Sequence, residues 1–113
     1  MEKLRFSVKL IIASAADDSK KGSFGPGIAK LLEGIDQTGS MNQATKDMNM
    51  AYSKAWKIIR EAEEMLGFNL LERYSGSKGS KLTNEARELL NMYYEAKDEM
   101  TKSANKILKK YQK

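Results

Sequence analysis

This sequence predicts a mainly α fold with a small β-sheet: a winged helix-turn-helix with an N-terminal strand and a long C-terminal dimerisation helix. Three observations lead there. A single proline in 113 residues favours long helices over a turn-rich β fold. Two short helical patterns, joined tightly, are followed by a hairpin pattern, which is the element order of a winged helix-turn-helix. From about residue 84, apolar side chains recur at steps of three and four almost to the end.

The elements follow in order. Leu4, Phe6, Val8, Leu10 and Ile12 alternate with Lys3, Arg5, Ser7 and Lys9, the period of a strand with one buried face. Residues 15–27 are a polar, glycine-rich loop. Its Gly22 and Gly27 have the spacing of a phosphate-binding loop, but Ile28 and Ala29 stand where Lys and Ser/Thr are required, which excludes that motif. Pro26 suits the first turn of a helix, where its missing N–H is not needed. Ile28, Leu31, Leu32 and Ile35 then follow helical spacing until the Thr38–Gly39 stop. Ser40 and Gln43 form a capping box that opens a short second helix, about 41–48. Asn49 and Met50 make a tight connection. The third helix, about 51–66, buries Ala55, Ile58, Ile59, Ala62 and Leu66, with Trp56 beside them as a core residue, and Gly67 caps its end. Residues 69–74 read as a strand, 75–80 as a hairpin tip and 81–83 as the return strand. In the fourth helix the stripe is Ala86, Leu89, Tyr93, Ala96, Met100, Ala104, Ile107 and Tyr111. Such a rod is roughly 40 Å long, more than so small a domain covers by itself. Its apolar face therefore asks for a partner, most simply the same helix of a second chain, through Leu89, Tyr93, Ala96, Met100 and Ile107.

Composition narrows the function. The chain has no cysteine and no histidine, which removes thiolate zinc sites, thiol nucleophiles and the commonest neutral-pH base. No catalytic residues, metal ligands or cofactor are expected. Glu61, Glu63 and Glu64 read as a solvated face rather than a metal or acid–base cluster. Neither a signal peptide nor a membrane-spanning stretch is visible, so a cytoplasmic protein is expected. The net charge is +5, yet the first 100 residues balance at 15 basic and 15 acidic, and the excess lies in five lysines beyond residue 100.

Charge placement is more telling than charge total. The third helix carries Lys54, Lys57 and Arg60 early and Glu61, Glu63 and Glu64 late, against the helix dipole. In an isolated helix each early lysine costs a few tenths of a kcal/mol, roughly. A polyanion at that end supplies a reason, because the leading end of a recognition helix meets DNA in the major groove. Tyr52, Ser53, Lys54 and Lys57 are then candidates for base edges or phosphates. Ser40, Asn42 and Gln43 begin the second helix, which in this motif crosses a phosphate backbone. For Ser40, capping and phosphate contact are compatible. Lys78 and Lys81 lie among the small residues of the hairpin tip, which suits either a groove contact or a plain surface loop. Arg73 either joins them or pairs with an acid inside the fold.

The stretch from Ile28 to Tyr93 resembles the N-terminal DNA-binding domain of the ModE family of molybdate-responsive transcription regulators. The matching features are Thr38–Gly39–Ser40 before the second helix, Ala44, the Tyr52–Ser53–Lys54–Ala55–Trp56 opening of the third, and the wing pattern from Leu70 to Thr83. The LysR-type winged helix is the near neighbour. The likeness covers about residues 4–100. It implies a dimeric transcription factor binding double-stranded DNA, with the third helix in the major groove and the hairpin as wing. Ala51 departs from the capping Ser that the family tends to have, and the wing here is shorter with fewer glycines. The sequence stops at Lys113, before the point where that family carries its molybdate-binding module, so no small-molecule effector is expected in this chain.

The expected organisation is a DNA-binding unit at 1–83 and a dimerisation helix at 84–113, in one structural domain. The expected function is sequence-specific DNA binding in transcription regulation. Two alternatives have different signatures. A winged-helix adaptor for proteins would be indifferent to loss of Lys54 and Lys57 in DNA binding, and an oxyanion sensor would shift its melting temperature with molybdate or tungstate.

Overall fold

The computed structural model describes residues 3–16, 22–72 and 79–112. Four helices follow one another: α1 (Pro26–Thr38), α2 (Met41–Asp47), α3 (Tyr52–Leu66) and α4 (Asn84–Tyr111). Local chemistry marks most of their ends. Pro26 opens α1, and Gly39 closes it in the left-handed conformation at φ 71°. Ser40 caps α2, its Oγ accepting from the Gln43 N–H at 3.0 Å. The second half of the expected capping box does not form. The Gln43 side chain donates to Asp47 at 2.8 Å instead, and the Ser40 N–H goes to the Thr38 hydroxyl at 3.2 Å. Thr83 caps α4, accepting from the Ala86 N–H at 3.1 Å. Ala51 precedes α3 with no side-chain cap.

The core gathers one face of each element. Ile28, Leu31, Leu32 and Ile35 of α1 are buried against Met41 and Ala44 of α2, Ala55, Ile59 and Ala62 of α3, and Ala86, Leu89, Leu90 and Tyr93 of α4. α1 and α2 approach closely at Gly34, where a Cβ would lie 3.2 Å from the Ala44 Cβ. Between α2 and α3, Asn49 takes φ 53°, and the Met50 N–H returns to the Thr45 carbonyl at 2.9 Å. Asn enters that conformation more readily than most residues, since a short polar side chain is able to bond locally. Trp56 is partly buried against the core, as expected, and meets the Tyr52 ring edge-on at 6.3 Å.

The small β-sheet is not supported. Among the described residues there are two isolated antiparallel bridges, Ile12–Phe24 and Leu71–Leu82, and no strand. The second bridge is the base of the expected wing: Glu72 N–H donates to Lys81 at 2.8 Å and Thr83 N–H to Leu70 at 3.0 Å. The N-terminal alternation is partly realised without a strand. Val8, Leu10 and Ile12 are half-buried, but Leu4 and Phe6 are exposed. The neighbour here is a helix rather than another strand. The segment runs back along α4, with the Tyr93 hydroxyl donating to the Leu10 carbonyl at 2.8 Å and the Phe6 N–H donating to Asn105 at 2.7 Å. Polar clasps join α1 to α4: Arg87–Asp36 at 3.0 Å and Tyr94–Glu33 at 2.6 Å. α4 extends the molecule to 59 × 33 × 24 Å.

Candidate nucleic-acid interface

The residues at the start of α3 are not covered by the rest of the chain. Tyr52, Ser53, Lys54 and Lys57 are all exposed, while Ala55 and Ile59 are buried. Helical spacing produces this division, since Ala55 and Ile59 point to the core and 53, 54 and 57 point away. The α3 first turn carries no acid and its last turn no base, so the charge order read from the sequence is present in the folded helix. Arg60 is exposed on the same helix.

Beside this turn stands α2. Asn42 and Gln43 are exposed at its start, and Ser40 is half-buried as the cap. Lys81 is exposed at the wing base. Arg73 and Lys78 lie outside the described residues. The arrangement brings the α2 start, the α3 start and the wing base to the surface, offering hydroxyl, amide and ammonium donors. These groups suit phosphate oxygens and base edges. Among the described residues, no cluster of three or more His, Cys, Asp or Glu could hold a metal ion, and no helix is long and apolar enough to cross a membrane.

The late acids of α3 divide. Glu64 is exposed, but Glu63 is buried and accepts the Leu70 N–H at 2.8 Å. Its expected place on a solvated face is therefore corrected: it ties the end of α3 to the chain entering the wing. No local signal announces this, because the donor is a main-chain group beyond the Gly67 turn.

The expected dimerisation residues also divide. Leu89 and Tyr93 are 8% and 2% exposed and pack inside their own chain. Phe24 meets the Tyr93 ring edge-on at 5.4 Å. Burial pushes the Tyr93 phenol above its ordinary value, and it pushes Tyr94 up as well, with the Glu33 carboxylate adding to the effect there. Ala96 is half-buried, and Met100 and Ile107 are open to solvent. Met92 and Tyr111 share that exposed side. Met92 was not expected in the stripe, being a position that a single-stripe reading leaves out.

A family profile described as "Bacterial regulatory helix-turn-helix protein, lysR family" matches residues 29–87, which run from α1 through the wing into α4. The transcriptional regulator ModE of Haemophilus influenzae is 38% identical over 71 residues, covering 60% of this chain and 28% of that protein. The DNA-binding transcriptional dual regulator ModE of Escherichia coli K12 is 35% identical over 66 residues, covering 56% of this chain and 25% of that protein. The molybdenum transport protein ModE of Azotobacter vinelandii is 28% identical over 92 residues, covering 79% of this chain and 31% of that protein. The chain thus spans about a quarter to a third of the length of these curated relatives. Among solved structures, a crystal structure of a CbnR_DBD–DNA complex superposes with a TM-score of 0.61 at 20% identity, covering 76% of this chain and 97% of that one. That likeness establishes the fold. Since the profile spans more than half of the sequence, the chain belongs to the lysR family of bacterial regulatory helix-turn-helix proteins.

Proposed function

We propose that this protein binds double-stranded DNA and regulates transcription, with α3 in the major groove, the start of α2 on the phosphate backbone and the wing beside them. The observation that carries the reading is the uncovered cationic start of α3, where Ser53, Lys54 and Lys57 are exposed above a buried Ala55 and Ile59. Family membership and the ModE regulators among its relatives support the same conclusion. The contact set is Ser40, Asn42, Gln43, Tyr52, Ser53, Lys54, Lys57 and Lys81, joined by Arg73 and Lys78. This function belongs to the cytoplasm, where the chromosome is.

The same reading makes the protein a homodimer through α4, with 1–83 as the DNA-binding unit and 84–113 as the dimerisation helix. Met100 and Ile107, with Met92 and Tyr111, supply an apolar strip that the chain itself does not cover, and Ala96 lies half-buried on the same helix. Charge along α4 favours an antiparallel pair. Glu85, Glu88, Glu95, Asp98 and Glu99 are exposed along residues 84–99 of it, and Lys102, Lys106, Lys109 and Lys110 along the remainder. Crossing two copies head to tail sets acids against lysines, whereas a parallel pair sets like against like.

The test is a titration of labelled duplexes from a random-sequence library at low and high salt. Specific binding that weakens steeply with salt supports the proposal. Absence of binding to every duplex at low salt refutes it.

A further inference from the structure

We propose that Gly79 is a positioning residue for DNA binding: it seats the base of the wing on the α1–α2 turn, so that the wing and the start of α2 meet DNA as one unit. The inference rests on the DNA-binding reading above. The Ser80 N–H donates to the Gly39 carbonyl at 2.8 Å. Gly79 takes φ +79°, and a Cβ there would stand 2.7 Å from the same Gly39 oxygen. The obstructing atom is main chain, which cannot swing aside as the tip of a side chain can. Gly39 in turn immediately precedes Ser40, the cap of α2, and the Thr38 hydroxyl bonds the Ser40 N–H at 3.2 Å. The wing base is therefore docked, backbone to backbone, onto the turn that also sets the start of α2.

The hairpin has its own anchorage. Leu71 and Leu82 are buried, and the Glu72–Lys81 and Thr83–Leu70 main-chain bonds close its base. A side chain at 79 leaves those in place and opens only the contact to Gly39. What changes is where Lys81 sits relative to Ser40 and Gln43, which is the geometry two phosphate contacts on one backbone require. Gly79 thus governs affinity without touching DNA.

Gly67 provides a matched control. It takes φ +83°, but a Cβ there meets nothing within 4 Å. Gly67→Ala carries the same kind of backbone strain and obstructs no neighbour. The experiment uses the full chain and a duplex that the wild-type protein recovers from a random-sequence library. Thermal unfolding, affinity as a function of salt, and hydroxyl-radical footprints are measured for both variants. Each alanine should lower the melting temperature. Only Gly79→Ala should also lose affinity on the order of tenfold, reduce the salt slope by about one contact, and lose the protection flanking the α3 site while keeping the central protection. Ser80→Pro removes the donor by another route and should reproduce the footprint loss; it decides the matter if Gly79→Ala does not fold. A wild-type footprint and affinity in the deciding variant overturn the latch. An equal loss of affinity and flanking protection in Gly67→Ala overturns it too, by reducing the effect to general destabilisation. Failure of the wild-type protein to recover any duplex is a separate result, which removes the DNA reading and the latch together.

Discussion

At the scale of single residues, several side chains sit in surroundings that oppose their isolated preferences. Lys54 and Lys57 sit at the positive end of α3, where the helix dipole disfavours them. Replacing either with Ala should leave the melting temperature unchanged or slightly raised, while DNA affinity falls for all sequences and the salt slope drops by about one per lysine. Melting curves beside salt titrations check this. Glu63 opposes the rule that carboxylates stay in water, and it does so by accepting the Leu70 N–H. Glu63→Ala leaves that buried donor without its acceptor and should cost about 1–3 kcal/mol in denaturant unfolding. The phenols of Tyr93 and Tyr94 are held neutral by burial, so their folded values lie above 10.0. Their contribution to stability is complete below the unfolded value and is lost as pH rises through the folded ones. Stability measured against pH should therefore fall in the alkaline range, and less steeply in Tyr94→Phe.

At the scale of elements, α4 exposes an apolar surface that its own chain does not cover. Met92, Met100, Ile107 and Tyr111 are each more than half exposed on it. Met100→Glu or Ile107→Glu should raise the dimer dissociation constant by about tenfold or more, since a buried unpaired charge is costly, and should leave the helix content intact. Sedimentation equilibrium with circular dichroism separates the two effects. Local signals made most of the elements legible. Ile28, Leu31, Leu32 and Ile35 marked the α1 face, Ser40 marked the start of α2, and Gly67 marked the end of α3, because capping and periodicity are properties of a few neighbouring residues. Partner choice was not legible. The alternation from Leu4 to Ile12 gave a half-buried face from Val8 onward but no strand, because the segment lies on α4 through Tyr93 and Asn105. Tyr93 was expected in an interface and is a core residue, because the segment that covers one side of it lies more than eighty residues earlier. The candidate site was readable where it depended on α3 alone. The Ser80–Gly39 contact was not, since a main-chain bond between distant turns leaves no side-chain pattern.

At the scale of the whole molecule, the proposal joins two exposed regions that have different chemistry. One is the donor-rich surface formed by the α2 start, the α3 start and the wing base; the other is the apolar strip of α4 flanked by segregated charge. Two copies crossed through α4 would carry two recognition helices on a two-fold axis, which matches an operator of two inverted half-sites. Selection from a random library should recover such inverted repeats, and Met100→Glu should reduce the preference for two half-sites over one.

In the proposed complex the leading turn of α3 lies in the major groove. The sequence has no cysteine, so Ser53→Cys provides a unique thiol for an iron chelate that cleaves nearby DNA. Glu64→Cys, exposed at the far end of the same helix, is the control. Cleavage from position 53 concentrated inside each protected half-site, with little from position 64, is the predicted result; equal cleavage from the two positions, or none from 53 on a bound duplex, contradicts the account.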